Sequence, residues 1–169
     1  MYLLDSKSSI IWRCRLRKIM NRIASIVVFS LGLLFTLLIF TYFAFIPLGN
    51  NYQLHKQEKT LAAIALPAKT QLVEKQSVCG KLNGNGNGIN YLATILIKSD
   101  LSLNELKEYY SNYEVVAQST PQLKSEYLEH DTILYTKLKK LNDFSGYYVV
   151  CSYQSAKFGS IWELDLRGH

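Results

Sequence analysis

The sequence predicts an α+β protein: one N-terminal transmembrane helix, then a small extracytoplasmic domain with an antiparallel sheet and one main helix packed on it. Three observations predict it. They are an uncharged apolar run from Ile23 to Ile46, several strand-like segments after residue 70, and one capped amphipathic segment among them. The chain divides accordingly into a basic tail (1–22), the apolar helix (23–46), a juxtamembrane stalk or helix (47–69) and the outer domain (70–169).

The apolar run holds no Asp, Glu, Lys, Arg, His, Asn, Gln or Pro, and 16 of its positions are Leu, Ile, Val or Phe. As a helix it spans roughly 36 Å, more than a hydrocarbon core of about 30 Å. Each of those residues favours insertion by roughly 0.3–0.6 kcal/mol, which gives about 5–10 kcal/mol for the run. The core helix of a soluble protein keeps a polar stripe, and this one has none. A cleavable signal has an apolar region of about 7–15 residues ending in small residues. This run is longer and leaves through Tyr42, Phe43, Phe45 and Pro47. A lipoprotein anchor would need a Cys just after the run, whereas Cys14 precedes it.

Charge sets the orientation. Lys7, Arg13, Arg15, Arg17, Lys18 and Arg22 precede the helix against the single acid Asp5, while the nearest charges beyond it are the mixed group Lys56, Glu58 and Lys59. Arg13, Arg15, Arg17, Lys18 and Arg22 therefore hold the N-terminus in the cytoplasm, where they also attract anionic headgroups, and the C-terminal domain lies outside. Of the formal charge of +6, the tail carries +5, and the interspersed charges that follow are those of an ordinary solvated surface. Nothing points to nucleic acid.

After the helix, Gln53 to Leu66 reads as a helix that stops before Pro67, with Leu54, Leu61, Ile64 and Ala65 on one face. Gln71–Leu82 and Ile89–Lys98 read as strands paired antiparallel through the Asn83–Gly88 run of alternating Asn and Gly, residues that tolerate the positive φ of hairpin turns. Ser102 and Glu105 form a capping box, and Leu103, Leu106, Tyr110 and Tyr113 continue it as the apolar stripe of a helix running to about Tyr113. Further strands are expected at Glu114–Gln118, Thr132–Leu138, Tyr147–Tyr153 and Ile161–Leu166, the last three as a meander with turns at Asn142–Gly146 and Lys157–Gly159. Pro121–His130 reads equally as loop or short helix.

Cys14 falls on the reducing side, whereas Cys79 and Cys151 both fall outside, which predicts a disulfide between them. Closing that loop of about 70 residues would add roughly 4 kcal/mol in the chain-entropy model. The Asn-Gly run opens a strand and lacks the Lys-Ser/Thr that a phosphate loop requires, so it reads as a hairpin tip. His55, His130 and His169 are scattered, no Cys or His stands at metal-ligand spacing, and no Gly-x-Ser-x-Gly elbow occurs. Glu129, His130 and Asp131 read as a charged turn before a strand. Neither an enzyme, a cofactor nor a metal site is predicted. The 12 tyrosines, among them Tyr109, Tyr110, Tyr113, Tyr147, Tyr148 and Tyr153, read first as sheet-face packing and second as a partner surface. No Asn-x-Ser/Thr sequon is present, which suits a prokaryotic envelope.

An apolar N-terminal helix before a small mixed domain resembles type IV pilins and pseudopilins in outline. Arg22-Ile23-Ala24-Ser25-Ile26-Val27 carries neither the processing site nor the Glu of those proteins, and no family is assigned. The resulting expectation is a single-pass cell-membrane protein whose outer domain binds another protein or an envelope component without catalysis. The rival is an accessory or regulatory subunit of a membrane complex, with contacts made by the helix itself. Protease added to intact cells should digest the half bearing Cys79 and Cys151 and spare the Arg-rich tail; an outer half left intact, followed by immunoblotting, would overturn the orientation.

Overall fold

The computed structural model describes residues 4–84, 88–129 and 131–168. The middle of the Asn-Gly run, His130 and His169 lie outside the described residues. Two compact units emerge, Met1–Thr41 and Tyr42–His169. The first is helix α1 (Leu4–Phe40), long and apolar enough to cross a membrane, with Phe29, Leu33 and Phe35 all exposed. Arg13, Arg15, Arg17, Lys18 and Arg22 are exposed along its basic end.

A π-helical turn, Thr41–Phe45, follows α1 and leads into helix α2 (Ile46–Ala62), which belongs to the second unit. Pro47 explains the widening: it has no N–H to give, and its ring would collide with the carbonyl four residues back, so the coil loosens just before it. Strands β1 (Thr70–Gly80) and β2 (Asn90–Ser99), helix α3 (Leu103–Tyr109), and strands β3 (Glu114–Ala117) and β4 (Tyr147–Ser155) follow. The sheet is antiparallel throughout in the order β1-β2-β4-β3. Ser102 caps α3 with the reciprocal Glu105 bonds that the sequence predicts. The helix stops at Tyr109, earlier than predicted, although Leu106 and Tyr110 are buried as expected.

β2 is buried on both faces and so dictates two covering layers. On one face Ala93, Ile95 and Ile97 pack with Val150, Leu61 of α2, and Leu106 and Tyr110 at α3. On the other, Leu92, Leu96 and Val149 pack with Leu123, Ile133, Tyr135 and Leu138 from the long β3–β4 connection. The Tyr135 hydroxyl donates to Thr94 Oγ1 at 2.7 Å, so its own polar atom is satisfied within the core.

Two expected strands are not strands. In Thr132–Leu138 the alternation is real, with Ile133 and Tyr135 inward and Leu134 exposed, but its sole ladder contact among described residues is an isolated bridge from Leu134 to Gln122. The segment ends in a 3-10 turn, Thr136–Leu138, whose Thr136 and Lys137 amides donate to the Glu74 carboxylate at 3.1 and 2.9 Å. Ile161–Leu166 instead forms 3-10 turns, Ile161–Leu164 and Leu166–Gly168. The meander therefore does not form, and β4 lies between β2 and β3. Of the two readings of residues 47–69, stalk or helix, the structure has a helix: α2 begins seven residues before Gln53 and buries Leu61 in the core, while Ala65, expected on the same apolar face, is exposed.

The predicted disulfide is absent: Cys79 and Cys151 are buried free thiols. Register shows why. Cys79 pairs with Tyr91 on one side of β2, and Cys151 pairs with Thr94 on the other. They are thus about 10 Å apart across the sheet and about 10 Å along it, on opposite faces, whereas a bridge needs Cα atoms roughly 4.4–6.8 Å apart.

A fragment starting at residue 70 would lose α2 and uncover part of the face holding Tyr91, Ile95 and Val150. At roughly 1.5–3 kcal/mol for each large apolar side chain, that loss consumes most of a domain stability of about 5–15 kcal/mol. We expect residues 42–169, in mild detergent, to melt cooperatively by circular dichroism and residues 70–169 to show no transition.

Candidate functional site

Two arrangements in the second unit place polar side chains together. The first joins the chain's last residues to the start of α2. Asn50 of α2 is fully buried, and its side-chain amide is used on both sides: Oδ1 accepts from the Tyr91 hydroxyl at 2.6 Å, and Nδ2 donates to the Trp162 carbonyl at 3.0 Å and to Asp165 Oδ2 at 2.9 Å. Arg167 grips the same carboxylate with two bonds, Nε to Oδ1 at 3.0 Å and Nη2 to Oδ2 at 2.7 Å. It also reaches α2, where Nη1 donates to Asn51 Oδ1 at 2.7 Å and Nη2 to the Pro47 carbonyl at 3.2 Å. The Arg167 carbonyl accepts from the Lys81 amide, and the Gly88 amide donates to Gly168, which fastens the tail to the β1–β2 hairpin as well.

Packing completes the clasp. The Trp162 ring lies over Gly49 so closely that a Cβ there would collide with it, and it stacks on Phe45 with centroids 6.0 Å apart. Burial works to raise the Asp165 pKa, but hydrogen bonds from Arg167 and Asn50 win and hold it below the usual carboxylate value. Burial pushes Tyr91 up to about 12, helped by the negative charge of Asp165 nearby.

The second arrangement is a cleft of about 440 Å³ between α2, the end of α3 and β4. Gln53, Lys56, Gln57, Asn112, Tyr113 and Gln154 are among its lining, so amides and hydroxyls dominate its chemistry and the Lys56 ammonium adds a cation. Gln57 is only 7% exposed; its Nε2 donates to the Ser152 carbonyl at 2.7 Å and to the Ser152 hydroxyl at 3.0 Å. Among the described residues its Oε1 is buried with no donor. An unsatisfied buried acceptor costs about 1–3 kcal/mol, and because water itself does not touch this oxygen, a ligand donor reaches it only if the cleft wall opens. Tyr153 is held in place by stacking on Tyr127 at 4.4 Å and by donating to Asn90 Oδ1 at 2.7 Å.

The residues singled out from sequence do not converge. Cys79 and Cys151 sit in different core clusters. Burial pushes the Cys79 thiol up to about 11 and raises that of Cys151 as well, so neither is a nucleophile at neutral pH. His55 is exposed on α2. No group of three His, Cys, Asp or Glu residues is placed to hold a metal among the described residues. Of the tyrosines, Tyr110 is buried in the core, Tyr109 is exposed, and Tyr113, Tyr147, Tyr148 and Tyr153 are half-buried. Sequence reasoning missed Asn50, Gln57, Asp165 and Arg167, because the bonds that tie α2 to β4 and the tail join residues 95 to 120 positions apart. A signal was present in Asn50 and Gln57, polar residues seven apart on the same helical face as Leu54 and Leu61. Compared with known proteins, the chain matches no family model, no curated protein and no solved structure.

The lowered pKa of Asp165 fixes the sign of its pH dependence. Its stabilising contribution is fully present above the unfolded carboxylate value of about 3.9 and is lost as pH falls through the lower folded value. Asp165→Asn should therefore shallow the acid limb of a urea-denaturation series run between about pH 2 and 7, without abolishing it, since the Glu74 and Asp143 pKa values are lowered too. Arg167→Ala should cost about 2–3 kcal/mol at neutral pH, below the range for a fully buried pair because the guanidinium side chain is 36% exposed.

Proposed function

We propose that this chain is a single-pass membrane-anchored envelope protein, with the basic tail in the cytoplasm and the sheet domain outside, where the domain binds a partner without catalysis. Three features support the anchor: the charge difference across the apolar run, the length of α1, and its exposed Phe, Leu and Ile side chains. A helix this apolar in water would aggregate; in lipid it is at home.

The observation that carries the binding reading is the cleft of polar side chains between α2, β4 and the Asn112–Tyr113 turn. Such a lining suits a polar ligand that exchanges hydrogen bonds with the amides and hydroxyls and offers an acceptor to Lys56, either a segment of another envelope protein or a wall component. The tyrosines at its wall add flat, half-wet contact area of the kind that interfaces use. α2 ties this cleft to the anchor, because Gln53 and Gln57 belong to the helix that follows the apolar run.

The test is in-cell photocrosslinking of the full-length chain. A crosslinking residue at exposed Gln154, beside the cleft, should give a discrete adduct by mass spectrometry, and Gln57→Leu should weaken that adduct severalfold. Adducts from Leu33 in α1 and none from Gln154 would instead establish a subunit that works through its apolar helix.

A further inference from the structure

We infer that the C-terminal segment from Lys157 to Leu166 is a second membrane-contact element, which seats the face of the domain around Phe158 and Leu164 in the headgroup layer of the bilayer. This rests on the anchoring reading above.

Phe158 is 94% exposed, the barest large apolar side chain among the described residues, yet it does not dangle. It stands at the tip of a built turn. Gly159 takes φ +72°, a conformation suited to glycine, and its amide donates to Glu163 Oε2 at 2.6 Å; the Ser160 amide donates to the Lys157 carbonyl at 3.0 Å. Ile161, Leu164 and Leu166 are also about half exposed on the same short segment. A sequence that hydrogen-bonds its backbone in order to present four apolar side chains to solvent is shaped for an apolar or half-apolar partner.

The neighbours of this segment indicate which partner. Trp162 of this segment stacks on Phe45 and packs on Gly49, and Arg167 bonds the Pro47 carbonyl. Phe45 and Ile46 are themselves the last residues of the apolar run, so covalent continuity brings whatever surrounds that run to this spot. The tail lies against residues 45–51 of the helix, a rise of about 10 Å, and the headgroup layer on each side of a bilayer is roughly 5–8 Å thick. The exposed Phe45, Leu48 and Tyr52 lie on that same stretch. Charge agrees with a lipid surface: Asp165 is buried against Arg167, Glu163 is engaged by Gly159, and Lys157 beside Phe158 is exposed and can reach phosphates while its stem lies on acyl chains. Tryptophan at the rim is the residue type that membrane interfaces favour.

The experiment uses the full chain in phosphatidylcholine–phosphatidylglycerol vesicles, with a nitroxide at Phe158→Cys in a Cys14→Ser background; Cys79 and Cys151 are buried. A second label at Asp100→Cys, an exposed position at the opposite end of β2, is the comparison. We expect the Phe158 label to collide with oxygen more than with a water-soluble nickel chelate, and its nickel collision rate to be at least threefold below that at Asp100. Equal nickel access at the two sites, in a chain that resists alkaline carbonate extraction, overturns the inference and leaves the anchor standing. Loss of both oxygen and nickel access at Phe158 overturns it in favour of a second copy of the chain covering the turn. Release of the chain by carbonate sinks the anchor and this inference together.

Discussion

The second unit depends on β2 being buried on both faces. A strand with Leu92, Thr94 and Leu96 on one side and Tyr91, Ala93, Ile95 and Ile97 on the other cannot sit at a surface, and one covering helix cannot shield both sides. The chain answers with two layers of different kinds: α2 and α3 on one face, and on the other an irregular connection whose inward side chains, Leu123, Ile133, Tyr135 and Leu138, act together as a lid without regular structure. That lid is possible because its loose backbone finds partners elsewhere, notably the Glu74 carboxylate, which accepts from Thr136 and Lys137 as a helix cap would.

Recruiting α2 as a layer has a consequence for the whole molecule. Ile46 is at once the last residue of the apolar run and a buried residue of the domain core, so no spacer stands between the two. A helix placed at a sheet by apolar contacts alone could slide or rotate by a turn. Asn50 and Gln57 remove that freedom, because each buried amide finds its partners in one register only, at Tyr91, Trp162 and Asp165 for the former and at Ser152 for the latter. The tail then locks the arrangement through Trp162 on Gly49 and the Arg167–Asp165 pair. The result is a domain whose sheet, tail and α2 are locked in one register.

Local chemistry made much of this legible. The apolar run, the β1–β2 pairing, the Ser102–Glu105 capping box, the stripe of Leu106 and Tyr110, and the positions of β3 and β4 all follow from periodicity and capping within a dozen residues. Where reading failed, the deciding partner was remote. Ile133 and Tyr135 alternate as a strand would, but alternation reports only that one side is buried; whether the backbone pairs depends on a neighbouring edge being free. Cys79 and Cys151 share a side of the apolar run, but sharing a compartment is a weaker condition than sharing a face, and strand register put them on opposite ones.

The sequence alone therefore determined the long apolar helix, its basic flank and an α+β domain with an antiparallel sheet, because each rests on composition or on short-range spacing. Tertiary structure alone decided that α2 belongs to the core, that the thiols stay free, and that Asn50, Gln57, Asp165 and Arg167 matter. Those outcomes turn on hydrogen bonds and packing between residues as much as 120 positions apart, and no local pattern encodes which distant group will arrive to satisfy a buried polar atom.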